Sequence, residues 1–103
     1  MDLEPIEDAA EYFRAQGFYV EYPSRQGALI VAAQPTQGHP ITVYQRSVQI
    51  WHEGESQWRI SAQCIKVIES MTLEQLKVYV RTLMRSTDQQ WDAELDRRRA
   101  FMN

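Results

Sequence analysis

The sequence predicts a small α+β fold. It is expected to be a mostly antiparallel β-meander of about five strands, with an N-terminal helix and about two or three C-terminal helices packed on it. Three observations favour this fold class. Short segments that alternate apolar and polar residues occupy the middle of the chain. Segments with apolar residues at helical spacing stand at both ends. The length of 103 residues suits a single domain, residues 1–103.

The first helix is expected to begin at Glu4 or Pro5 and to end near Gln16. Pro5 suits the first turn of a helix, and the acidic residues around it complement the positive end of the helix dipole. Gly17 stands where a residue in the left-handed conformation often ends a helix. An apolar stripe at helical spacing consists of Ile6, Ala9, Ala10 and Phe13. This helix should therefore pack on the sheet.

Three strands are predicted in the first half of the chain: Phe18–Tyr22, Ala28–Ala33 and Ile41–Tyr44. Ala28–Ala33 is apolar on both faces, which indicates a central strand. The apolar positions change parity between Ile41 and Val48. Either a bulge or tight turn near residues 45–47 corrects the phase, or the sheet is covered on both sides.

A β-hairpin is predicted from the strands Ser47–His52 and Gln57–Ser61. Pairing Ile50 with Trp58 gathers the apolar residues on one face, because residues that lie opposite each other share a face. That face holds Val48, Ile50, Trp58 and Ile60. The loop then has an odd number of residues, and Gly54 supplies a position free to adopt a positive φ.

The same register places Trp51 on the other face of the hairpin. Its neighbours there are Gln49, Arg59 and Gln57. An indole among polar side chains needs a reason, because tryptophan normally buries most of its ring. Two explanations are open: a C-terminal helix covers this face and makes Trp51 part of the core, or a partner covers it.

Residues 61–70 fit two structures. Cys64 and Ile68 have helical spacing, whereas Ile65 and Val67 alternate as in a strand, and a short helix is favoured.

A longer helix is predicted over Thr72–Arg85. Thr72 and Gln75 form a capping box, in which each side chain bonds the backbone of the other residue. The apolar stripe of this helix is Leu73, Leu76, Val80 and Leu83.

The last helix is expected from about Asp88 to Phe101. Its acidic residues come early and Arg97–Arg99 come late, which complements the helix dipole. Its apolar content is small, so it should be held weakly. Residues 88–103 either dock back through Trp91 and Leu95 or form a peripheral arm that binds a partner or makes a homodimer.

Composition argues against several classes of protein. The longest apolar run, Ala28–Ala33, is far shorter than the roughly 20 residues of a membrane span. The single cysteine excludes an internal disulfide and a multi-cysteine zinc site. The acidic N-terminus lacks the layout of a signal peptide, so a cytoplasmic protein is expected. The net charge of −3 argues against nucleic-acid binding.

No catalytic residue, metal site or cofactor is predicted. The candidate metal ligands are His39, His52, Glu53 and Glu55. They lack the second histidine at helical spacing of a zincin motif, and a solvated turn is the better interpretation of His52 and its neighbours. Cys64 has apolar neighbours and is read as a small buried hydrophobe rather than a nucleophile.

The surface pattern favours protein binding, because tyrosine, tryptophan and arginine are enriched at interface centres. The predicted partner-binding residues are Trp51, Gln49, Arg59, Gln57, Tyr19, Tyr44 and Arg46. An acidic surface is formed by Glu4, Glu7, Asp8 and Glu11, which suits a partner with a basic patch or is simply a solvated helix start.

The predicted function is a non-catalytic module that occludes or modulates a protein partner. Bacterial immunity proteins and phage inhibitors fit by size and architecture only. One alternative is a secretion-type chaperone. Another is a single-stranded nucleic-acid-binding domain that uses Trp51, Tyr44, Arg46 and Arg59.

Overall fold

The structure is a computed structural model, and it describes residues 4–33, 46–63 and 65–102. The helices are α1 (Pro5–Ala15), α2 (Leu73–Met84) and α3 (Asp88–Arg99), followed by a 3₁₀ turn at Ala100–Met102. The strands are β1 (Tyr19–Glu21), β2 (Leu29–Ala32), β3 (Ser47–Gly54), β4 (Gln57–Ala62) and β5 (Ile65–Ser70). The predicted strand Ile41–Tyr44 lies outside the described residues, and so does Cys64.

The five strands form one sheet in the order β1-β2-β3-β4-β5, and each pairs with its neighbour in antiparallel fashion. With one helix before the sheet and two after it, the predicted α+β meander is confirmed.

All three helices bury residues against the same face of the sheet. Their buried apolar side chains belong to one cluster with the inward residues of the strands. The sheet contributes Leu29, Val31, Val48, Ile50, Trp58, Ile60, Ala62 and Ile65 to it. The helices contribute Ile6, Ala9, Ala10, Phe13, Leu76, Val80, Leu83, Met84, Trp91 and Leu95. The structure is thus two layers, with helices on one side of a meander.

The helix ends follow the chemistry of their capping residues. Thr72 accepts a hydrogen bond from the Gln75 amide and Gln75 accepts one from the Thr72 amide, so the predicted capping box is confirmed. Thr87 and Gln90 form a second capping box at the start of α3. Gly17 follows α1 with φ +91°, a conformation that glycine adopts without steric cost.

The predicted register of the hairpin is wrong by two residues, although its faces are right. Ile60 lies opposite Ile50, and Trp58 lies opposite His52. The register shifts between His52 and Gly54, and Gly54 then pairs with Gln57 across a two-residue turn. Side chains alternate with period two, so a shift of two keeps every residue on its face. Burial therefore could not distinguish the two registers.

The short helix favoured for residues 61–70 is wrong, because Ile65–Ser70 is the edge strand β5. Ile65 is buried, Val67 is half-buried, and Lys66 and Ile68 alternate with them as exposed residues. Pairing with β4 gives this segment backbone hydrogen bonds along six residues. The strand thereby outweighs the local helical spacing.

Helix α3 packs on the rest of the described protein. It buries more side-chain area than its few apolar residues predict, because an arginine is buried as well. Trp91 and Leu95 are buried in the common core, and Arg98 is fully buried beside them. The helix packs against α2 and β5. Formation of a homodimer through this segment remains a prediction.

Candidate functional site

The face of the sheet opposite the three helices carries the tryptophan singled out by the hairpin pattern. One row of side chains crosses all five strands there: Glu21, Ile30, Gln49, Ser61 and Lys66. The next row holds Trp51, Arg59 and Ile68. We call this surface the open face, because all three helices described bury their residues on the other side. Helices α2 and α3 therefore do not make Trp51 part of the core.

Two cations lie against the ring of Trp51, which is half-buried. The Arg59 guanidinium carbon is 5.8 Å from the ring centroid, and the Lys66 ammonium nitrogen is 5.6 Å from it. Each contact is worth about 0.5–1 kcal/mol at an exposed position. The indole Nε1 also donates a long hydrogen bond of 3.4 Å to the carbonyl oxygen of Gln26. The ring is thus held in place by its neighbours, and part of it stays accessible.

The open face continues on both sides of Trp51, into an exposed apolar residue on one side and into a polar groove on the other. Ile68 is 57% exposed on β5, directly opposite Arg59. Toward β1 and β2 the face opens into a groove of about 340 Å³. The groove is lined by Glu21, Ser24, Arg25, Gln26, Ile30 and Gln49. An aromatic ring with arginine and an apolar side chain beside it, and a polar surface around them, is typical of protein interfaces.

Five of the predicted binding residues lie on or beside this face. Trp51, Arg59 and Gln49 lie in its two rows, and Tyr19 on β1 points to the same side because its neighbour Val20 pairs with the buried Val31. Gln57 is exposed at the start of β4 and alternates with the buried Trp58, so it shares the side of Arg59. Tyr44 lies outside the described residues.

Arg46 lies on the helix side of the sheet, away from Trp51. Its guanidinium Nη1 donates to the carbonyl oxygens of Met84 and Ser86 at 3.2 and 2.6 Å, and its Nη2 forms an ion pair with Asp88 at 2.7 Å. The guanidinium also lies 5.2 Å from the ring centroid of Trp91. Arg46 satisfies carbonyl groups between α2 and α3, so the structure does not place it in the surface around Trp51.

His52 also departs from its predicted place, which was a solvated hairpin tip. It lies within β3 on the helix side, and its ring stacks on that of Trp58 with centroids 4.3 Å apart. Glu53 is the residue beside the open face instead, where its carboxylate binds Arg59 Nε at 2.7 Å. Among the residues described, no group of three or more His, Cys, Asp or Glu side chains could hold a metal ion.

One acidic residue of α1, Asp8, contacts a basic residue of the same chain, Lys77. Asp8 accepts a hydrogen bond from the Lys77 ammonium at 3.2 Å, and Glu74 accepts a second at 3.3 Å. Burial lowers the pKa of Lys77, but these hydrogen bonds outweigh burial and raise it. Glu4, the N-cap residue of α1, and Glu11, within the helix, are exposed on the opposite layer from Trp51, and Glu7 is half-buried there.

Sequence reasoning missed Lys66 and Ile68. The available signal was the alternation from Ile65 to Ser70, which puts both residues on one face once the segment is treated as a strand. The helical spacing of Cys64 and Ile68 in the sequence favoured a helix instead.

Comparison of the chain with models of known protein families, with curated proteins and with solved structures yields no match. In the described parts of the chain, no helix has the length and apolar character needed to cross a membrane.

Proposed function

We propose that this protein is a non-catalytic binding module whose open face captures a protein partner and thereby occludes or modulates it. The observation that carries the proposal is the half-buried Trp51, held by Arg59 and Lys66 on the face opposite the helices. Ile68 adds exposed apolar area beside it. An aromatic anchor with arginine and an apolar neighbour is the composition of an interface hot spot.

The proposal covers several ways in which the protein could act on its partner. The size and the two-layer architecture are compatible with an immunity protein, a phage inhibitor or a secretion chaperone, by analogy alone. In each case the partner lies on the open face and the helices serve as the scaffold that keeps the sheet rigid. A single-stranded nucleic acid stacked on Trp51 is the rival function.

Site-specific photocrosslinking tests the proposal. A photoreactive amino acid is placed at Ile68, beside Trp51, and separately at Val78. Val78 is 50% exposed on α2 and serves as the matched control, since it is an apolar residue of similar exposure on the helical layer. Each protein is illuminated in lysate of the native host, and adducts are identified by mass spectrometry.

The proposal expects a discrete protein adduct from position 68, no such adduct from position 78, and its loss in a Trp51→Ala background. Adducts that disappear on nuclease treatment would show that the open face binds a nucleic acid, which is the rival function. Equal adducts from both positions, or adducts that persist without Trp51, would refute capture by the open face.

A further inference from the structure

Lys66 carries a charge that no carboxylate neutralises among the described residues. Beside Trp51, Arg59 is already paired with Glu53. Elsewhere ion pairs are formed by Arg46, Lys77, Arg97, Arg98 and Arg99. Lys66 instead lies over the Trp51 ring, on an exposed position of the edge strand β5. An incoming carboxylate at Lys66 therefore gains an ion pair without breaking an existing one.

An apolar site stands next to this ammonium group. Ile68 is two residues further along β5 and shares the open face with Lys66. Residues i and i+2 of a strand are about 7 Å apart, which is also the spacing of two side chains on one face of an extended peptide. The surface is therefore matched to a carboxylate and an apolar side chain carried close together.

The remaining charges restrict the position of the carboxylate. Arg59 is already bound to Glu53 at 2.7 Å. Arg25 shares its groove with Glu21, so opposite charges offset each other there. The Lys66 end of the open face is thus the favoured anion position among the residues described.

We infer that the segment recognised by the open face is an acidic protein segment, which places a carboxylate on Lys66 and an adjacent apolar side chain against Trp51 and Ile68. This inference rests on the proposed function and adds the chemistry of its partner. A nucleic-acid strand is less suited, because it requires a row of cations along its phosphates whereas the net charge of this chain is −3.

Fluorine NMR of protein labelled with fluorotryptophan provides the test. Trp58 and Trp91 are buried and act as internal references, and Trp51 reports on the open face. The probes are a random copolymer of glutamate and tyrosine, a copolymer of lysine and tyrosine, and oligothymidylate. We expect the glutamate copolymer alone to shift the Trp51 resonance, with the two reference resonances unchanged.

Lys66→Gln should weaken binding of the glutamate copolymer about fivefold, as expected for one exposed ion pair. Arg14→Gln is the matched control, because it removes the same charge from an exposed position on α1 and should change binding little. Equal weakening by both substitutions, or a Trp51 shift produced by oligothymidylate instead, would overturn the inference.

The same Lys66→Gln substitution separates this inference from the function on which it rests. If the crosslink from position 68 persists unchanged in Lys66→Gln and is lost in Trp51→Ala, protein capture stands and the carboxylate at Lys66 is refuted. If the crosslink is lost in both variants, both statements are supported. If no protein crosslinks at position 68, the proposed function itself fails.

Discussion

The guanidinium of Arg98, on the last helix, donates a hydrogen bond of 2.7 Å to the backbone carbonyl oxygen of Ile60, in the fourth strand. The arginine is 0% exposed, and its other terminal nitrogen forms an ion pair of 2.8 Å with Glu69. A buried cation of this kind is costly unless acceptors meet its donors. Nη1 also donates to the Tyr79 hydroxyl at 3.3 Å, whereas the buried Nε has no hydrogen-bond partner among the described residues. These contacts tie α3 to both β4 and β5.

Replacement of Arg98 by methionine should destabilise the fold by about 3 kcal/mol, because it leaves Glu69 and the Ile60 carbonyl without their partner in a largely buried place. Among the described residues, the cation left to Glu69 is Arg97, at 3.6 Å. Urea denaturation followed by circular dichroism measures the change. Arg99→Met is the control, since Arg99 is exposed and forms an ion pair with Asp96, three residues earlier on the same helix. Similar losses for both variants would contradict the role given to Arg98.

The two tryptophans of the hairpin should differ sharply in their effect on stability. Trp58→Ala removes a fully buried side chain from the core and is expected to cost about 4 kcal/mol. Trp51→Ala removes a half-buried ring and two cation–π contacts, for a loss of about 2 kcal/mol. Thermal and urea unfolding of the two variants provide the comparison. A loss in Trp51→Ala as large as that in Trp58→Ala would show that Trp51 supports the core.

The parts of the fold that the sequence predicts well are those in which local and tertiary signals agree. The helix α2 has a capping box, a full apolar stripe and a polar outer face, and its observed bounds fall within a residue of the predicted ones. The separation of Trp51 from Trp58 follows from strand alternation alone, so it survives an error of two residues in register.

The failures involve partners that are distant in the sequence. Helical and strand spacing compete in residues 61–70, and only pairing with β4 decides between them. Arg46 reaches the end of α2, about 40 residues away along the chain, to satisfy carbonyl groups that no local pattern identifies. Arg98 similarly reads as part of a basic helix end until its position opposite Glu69 is known. Lys66 was not predicted as a binding residue, because its segment was predicted to be a short helix and is the strand β5.

Arg46 should stabilise the connection between α2 and α3 through its carbonyl contacts rather than through its ion pair. Arg46→Ala is expected to cost about 2 kcal/mol, since it leaves the Met84 and Ser86 carbonyls unsatisfied. Asp88→Asn should change stability little, because the Asp88 side chain is 100% exposed. Arg46→Lys should recover only part of the loss, because an ammonium cannot reproduce the planar fork of donors. Chemical denaturation of the three variants measures these effects, and equal losses for Arg46→Ala and Asp88→Asn would assign the stabilisation to the ion pair.

Stability should fall above about pH 10, because two groups hold their protons more tightly in the folded state than in the unfolded chain. Burial raises the pKa of Tyr79 above its ordinary value of 10.0, although nearby Arg98 opposes the shift. The pKa of Lys77 is also raised above its ordinary value of 10.5: burial lowers it, but the hydrogen bonds to Asp8 and Glu74 prevail. A raised folded-state pKa gives stabilisation that is complete below the unfolded pKa and is lost as the pH rises through the folded one.

Urea unfolding at a series of pH values from about 8 to about 11 tests this expectation. Tyr79→Phe removes one of the two titrating groups and should make the alkaline decline less steep, even if the variant is less stable at pH 8 through loss of its hydrogen bond of 3.1 Å to Glu94. Lys77→Met should reduce the slope in the same way, and the double variant should reduce it further. An alkaline decline of equal steepness in the parent protein and in the double variant would show that other groups govern it.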